Sequence, residues 1–197
     1  MSLRQIIFSD NPLLRKKSRH VQQVGQALQH LIDDMIETMR AANGIGLAAI
    51  QVGVPQRIIV VEMPEDLEEN ESETENEERS RPSELYVIVN PKLARRSREM
   101  EEGIEGCLSI PGWIGEVTRH RVVTVKGLNR RGQAVRIKAE GLLARVLQHE
   151  IDHCDGVLFI DHIEDPDKIW PVAEGEEEAA EATQKARGGA TSSRLLE

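Results

Sequence analysis

VVTVKGLNRRGQAVRIKAEGLLARVLQHEIDHCDGVLFI, residues 122–160, decides the architecture. Val122–Val125 and Val135–Ile137 are apolar runs on either side of Asn129-Arg130-Arg131-Gly132, which reads as a β-hairpin. A helix follows from Leu142 to about Cys154, stopped by Gly156, and a short apolar run occupies Val157–Ile160. Working towards the N-terminus, residues 24–42 give the clearest amphipathic helix. Val24, Leu28, Leu31, Ile32, Met35, Ile36 and Met39 recur at spacings of three and four, and Asn43-Gly44 supplies the stop. The Met-containing stripe reads as core, not as a cofactor box. Between the two helices lie a glycine-bearing loop, GIGLAAIQVGVPQ at 44–56, a β-branched run at Arg57–Val61, and a second strand at Leu85–Asn90 closed by Pro91. There are no internal repeats and no regular βαβ alternation. Paired strands between two well-separated helices predict an α+β fold with antiparallel or mixed strands rather than a doubly wound sheet.

Composition narrows the class. At 197 residues the chain fits one domain; apolar types make up 39% and aromatics only 3%, so Leu, Ile and Val must fill the core. No stretch approaches the ~18 consecutive apolar residues of a membrane span, and the N-terminus has neither the long apolar run nor the cleavage site of a signal peptide. Cys107 and Cys154 cannot form a disulfide framework of the secreted kind. A cytoplasmic location, with no membrane partner, is the expectation. The net charge of −9 is local: residues 65–84 hold ten acids and two arginines, a net of −8, which leaves −1 for the other 177 residues. That run lacks the apolar residues that would offset its ordering entropy and reads as a solvated insertion. The domain is expected to span residues 1–165, with 166–197 as an acidic, poorly ordered tail. No basic patch is visible in the sequence, so no specific nucleic-acid partner is expected.

QHEIDH at 148–153 carries the strongest chemical signal. His149 and His153 are four apart, so a helix projects both from one face, able to chelate one ion, with Glu150 beside that face as a general base. A partly exposed helix with two ordinary histidines is the bland alternative. A catalytic site needs a third ligand and an open position. Asp155, Asp161, His162 and Glu164 lie downstream; Cys107, in EGCLSIPG at 105–112, lies upstream in a glycine-flanked turn and offers a softer, stronger ligand. A lone cysteine is more often a small buried hydrophobe. Cys154 points about 100° around the helix from His153 and reads as packing. In GIGLAAIQ at 44–51 the glycines let backbone approach a ligand, and Gln51 offers an amide donor of the kind that stabilises an oxyanion.

GIGLAAIQ, EGCLS at 105–109 and QHEIDH, in that order and spacing, resemble the three signature motifs of the peptide deformylase family, with the likeness running from about Ile6 to Ile163. The resemblance implies an α+β mononuclear metal hydrolase that removes the formyl group from N-formylmethionyl nascent peptides and releases formate. It implies Cys107, His149 and His153 as ligands of one divalent ion, typically Fe²⁺, with Zn²⁺, Ni²⁺ or Co²⁺ able to substitute. Glu150 is implied as acid and base, and Gln51 with the Leu108 N–H as donors to the carbonyl oxygen. Ile45 and Gly46 match the edge along which the peptide lies; Ile45, Leu142 and Val146 match the methionine pocket, braced by a Glu105–Arg119 pair. The ribosome exit region is the implied meeting place, although the long basic C-terminal helix of some bacterial members is missing. An endopeptidase of the HExxH class would leave the Cys107 segment without a role, and a purely structural metal site would need a fourth protein ligand.

Overall fold

The computed structural model describes residues 2–63 and 84–172. The acidic insertion, apart from Glu84, and the tail from residue 173 lie outside the described residues. Ten elements carry the architecture: α1 (Gln26–Ala41), β1 (Gly46–Ala48), β2 (Ile58–Met63), β3 (Glu84–Arg96), β4 (Met100–Cys107), β5 (Ile110–His120), β6 (Val122–Leu128), β7 (Ala134–Glu140), α2 (Gly141–Asp155) and β8 (Ile169–Pro171). One antiparallel sheet has the order β1-β2-β3-β6-β7 and a second the order β4-β5-β8. The predicted α+β class holds. No helix among the described residues is long and apolar enough to cross a membrane.

The period of two in β2 organises the interior. Ile58 and Val60 face α1, whose stripe of Leu28, Leu31, Ile32, Met35, Ile36 and Met39 is buried as its spacing predicts. Ile59 and Val61 face the other way, into a cluster holding Ala144, Val146, Leu147, Ile151 and Cys154 of α2. Every residue of α2 from Ala144 to Cys154 except Asp152 is buried, so this is the central helix, enclosed on all sides rather than lying on a surface.

Three departures from the sequence reading have local causes. Pro91 does not close its strand. Asn90 takes a left-handed φ of 56°, its side chain donates to the Val21 carbonyl and accepts from the Val21 N–H, and a bulge between Val89 and Lys92 absorbs the missing proline N–H. β3 therefore runs on to Arg96. The glycine-flanked turn expected around Cys107 is only Leu108-Ser109; on either side the glycine-rich sequence is the long β4–β5 hairpin. The predicted tail boundary at residue 165 also falls too early, because Ile169–Pro171 pairs with Trp113–Gly115 of β5.

Gly156 ends α2 with φ +80° and lies against Arg15, whose carbonyl oxygen would be 2.6 Å from any Cβ at that position. Gly156→Ala therefore combines a left-handed backbone with a backbone clash, and is expected to cost about 1–3 kcal/mol. Thermal unfolding should register about 2–4 °C for each kcal/mol; an unchanged midpoint would refute this reading.

Candidate metal centre

Helix α2 presents two parallel stripes to its surroundings. Residues 145, 149 and 153 lie one turn apart, as do 142, 146 and 150. The first stripe meets the tip of the β4–β5 hairpin. His153 Nε2 lies 3.3 Å from Cys107 Sγ and 3.2 Å from His149 Nε2, and the three potential ligand atoms all fall within 4.8 Å of one another. The imidazole rings meet edge to face at 4.8 Å. The other third-ligand candidates are elsewhere: Asp155 pairs with Arg57, Asp161 with Arg15 and the Leu158 N–H, and His162 with Asp152. Glu164 is exposed. Among the described residues, Cys107 alone converges with the histidines.

Cys107 and Glu105 are two apart on β4 and so share the face turned towards α2. The resemblance implies Glu105, with Arg119, as a brace of the substrate pocket; the structure shows which groups its carboxylate engages. Its carboxylate, on a side chain 4% exposed, accepts from Arg119 Nε at 2.8 Å and Nη2 at 2.9 Å, from Arg145 Nη1 at 3.0 Å and from His149 Nδ1 at 2.9 Å. Those bonds fill a carboxylate's acceptor sites. The Glu105–Arg119 pair is present, but what it braces is a histidine. With Nδ1 donating, the lone pair of His149 sits on Nε2 and faces Cys107 and His153. Arg119 also pairs with Asp152, which accepts from His162. Two arginines and two carboxylates thus balance behind the histidines. The bonds from Arg119 and His149 hold the Glu105 carboxyl well below its usual range even though burial works against them.

Burial, followed by the neighbouring His149 and Arg119, keeps the His153 ring well below the ordinary imidazole value. Burial also opposes charge on His149, yet its bonds to Cys107 and Glu105 outweigh that and raise it well above. A thiol and two imidazoles converging on one point form a borderline-soft donor set suited to a divalent transition ion.

Glu150, one residue after His149, stands on the neighbouring stripe of α2. The residue is 3% exposed, Oε2 has no hydrogen-bond partner among the described residues, and burial raises the carboxyl to about 7. Gly46 of β1 packs directly on it: a Cβ there would overlap Glu150 Oε1 and lie 3.0 Å from Val146 Cγ1. Gly46 and Val146 therefore meet at the carboxylate, with the half-buried Ile45 and Leu142 packed on the same core cluster. Gln51 lies in the short 3-10 turn after β1. Its Oε1 accepts from the Ala48 N–H at 2.7 Å, which turns the amide nitrogen inward, 3.2 Å from Ser109 Oγ and 3.6 Å from Cys107 Sγ. Leu108 follows Cys107 at the hairpin tip. The N-terminal segment straps these two loops together, Ile7 N–H donating to the Gln51 carbonyl and Ser9 N–H to that of Ser109.

Sequence reasoning missed Arg145, Gln148, Asp152 and Ser109, and weighed His162 only as a ligand, whereas it pairs with Asp152. Gln148 clamps α2 to β5, donating to the His120 carbonyl and accepting from its N–H. Arg145 and Gln148 carry a usable signal: polar side chains within a helix whose other residues are mostly apolar need buried partners. Cys154 is buried in the core as expected, and burial pushes its thiol up to about 12.

The comparisons with known proteins agree with this geometry. The family model described as polypeptide deformylase matches residues 3–169. A peptide deformylase of Thermomicrobium roseum is 47% identical over 92% of this chain and 98% of its own length. The peptide deformylase of Ehrlichia chaffeensis, solved with actinonin, superposes with a TM-score of 0.74 at 36% identity, covering 97% of this chain and 100% of that one. That of Acinetobacter baumannii, solved with Met-Ala-Ser bound, gives 0.71 at 32% identity over 82% and 99%. By sequence, fold and the convergence of its three motifs, the chain belongs to the polypeptide deformylase family.

Proposed function

We propose that this chain hydrolyses the formyl amide at the N-terminus of formylmethionyl polypeptides, releasing formate and a free amine. The observation that carries the reading is the convergence of Cys107, His149 and His153 on one point beside the unpartnered carboxylate oxygen of Glu150. Cys107, His149 and His153 would hold a divalent ion, which would supply Lewis acidity to the formyl carbonyl and to water near neutral pH. Glu150 accepts the proton of the attacking water and delivers it to the departing nitrogen as the C–N bond breaks. The Gln51 amide, aimed by Ala48 and Ser109, and the Leu108 N–H donate to the oxygen that gains negative charge. Ile45, Gly46, Leu142 and Val146 receive the methionine end of the peptide. Support for a peptide lying there comes from the relative that holds Met-Ala-Ser.

Supplying formyl-Met peptides, their unformylated counterparts and longer peptides to the metal-loaded protein tests the reading. Formate from the first alone, with no internal cleavage, is expected. Internal cleavage without formate would instead favour an HExxH endopeptidase.

The working ion in this proposal is Fe²⁺, with Zn²⁺, Ni²⁺ and Co²⁺ as substitutes, and the place of action is the cytoplasm at the ribosome exit region. Iron beside the half-buried Cys107 sulfur predicts loss of activity in air through oxidation of the metal or the thiol, whereas the zinc-loaded protein stays active. Cys154→Ser should decay as the wild type does, because that thiol is buried and protonated. Activity half-lives with and without oxygen check both points; equal decay of the iron and zinc forms would exclude metal redox chemistry as the cause.

A further inference from the structure

We propose that Arg145 is a positioning residue that fixes the helix carrying His149, Glu150 and His153 against the hairpin carrying Cys107. Its guanidinium, on a side chain only 9% exposed, reaches from one turn before His149 to four acceptors, all on β4 and β5. Nη1 donates to the Val117 carbonyl at 2.7 Å, the Gly103 carbonyl at 3.3 Å and Glu105 Oε1 at 3.0 Å, and Nη2 donates to the Glu101 carbonyl at 2.8 Å. Three of these bonds grip the backbone of both strands, and the fourth grips the carboxylate that orients His149. The cation therefore does two things at once: it sets the distance between hairpin and helix, and it holds the partner of one ligand in place.

β4 is shaped to admit it. A Cβ on Gly103 would lie 2.8 Å from Arg145 Nη2, 2.9 Å from Cζ and 3.0 Å from Nε, so the strand passes flat against the guanidinium where a side chain would push it away. Only a planar fork with several donors can serve four acceptors in this plane; an ammonium on the same helix turn cannot. Arg119 makes two bonds to Glu105, but from β5, so it contributes nothing to the attachment of α2 through that carboxylate. Arg145 alone bonds directly to hairpin backbone and to Glu105 from the helix that holds two of the three converging side chains.

The inference rests on the metal reading of Cys107, His149 and His153, and the test keeps the two apart. Co²⁺ is titrated into metal-stripped wild type, Arg145→Met, Arg145→Lys and Gly103→Ala, with affinity measured by chelator competition and the visible cobalt bands recorded. Thermal midpoints are taken alongside. Leu28→Ala, in the separate core under α1, serves as a comparator that lowers stability far from the site. Arg145→Met is expected to weaken Co²⁺ by about 10–100-fold, the usual size of an outer-shell loss, with shifted bands; Arg145→Lys should not restore them. Gly103→Ala removes no polar group and is expected to move affinity and bands in the same direction. Leu28→Ala should lower the midpoint and leave both untouched. Wild-type affinity and bands in Arg145→Met, or the same losses in Leu28→Ala, would overturn the positioning role. Should Arg145→Met fail to fold, Gly103→Ala decides: wild-type cobalt behaviour there overturns the proposal. A wild-type protein that takes up no Co²⁺ would overturn the metal reading itself, and the inference with it.

Discussion

Glu150→Gln is expected to reduce formate release by about 10²–10⁴-fold while leaving one bound ion per chain, because the change removes a proton acceptor and keeps the shape. The carboxylate is not among the three converging side chains, and its Oε2 has no partner among the described residues despite its burial. A buried polar atom without a partner costs free energy unless something outside the protein engages it. On the proposed mechanism that something is the attacking water and then the leaving amine. The fit is tight, since Gly46 leaves no room for even a methyl group over the carboxylate. Metal analysis and turnover on the same sample check the prediction. Activity within tenfold of wild type would remove Glu150 from the chemistry, and loss of the ion would make it a ligand.

Cys107→Ser should produce the opposite pattern. Its hydroxyl is a far poorer anionic donor than a thiol, so affinity for the ion should fall by more than the about 10–100-fold typical of an outer-shell change. Folding should survive, since Cys107 is only half-buried at a hairpin tip and the core beneath is supplied by Ile110, Val117 and α2. Equilibrium dialysis followed by a thermal scan separates the two effects. Tight binding with unchanged spectra would assign the third ligand elsewhere, yet Asp155, Asp161 and His162 are each engaged away from the site.

Helical features and the three motifs were legible in the sequence because each depends on short-range spacing. The α1 stripe needs only the 3.6-residue period, and the His149–His153 pair only the four-residue step. The β4–β5 hairpin was not legible. Gly103, Gly106, Gly112 and Gly115 look like turn signals, but Gly103 at least is a point where a strand passes close to a buried side chain, and that requirement depends on what lies opposite. The same long-range dependence hid the true role of Glu105. Motif resemblance located it correctly, while only the fold shows that Arg119, Arg145 and His149 take up its carboxylate. Pro91 shows the converse: a local rule that ends strands was overruled by a bulge and by Asn90 bonding to Val21.

The central claim is that three side chains hold one ion and that this ion is needed for deformylation. Stepwise addition of Co²⁺ to anaerobic, metal-stripped protein, following the visible bands and formate release from a formyl-Met peptide together, addresses it most directly. Both signals should rise in parallel and level off at one ion per chain. Formate release already maximal before any ion is added, or bands that saturate with no formate produced, would contradict the account.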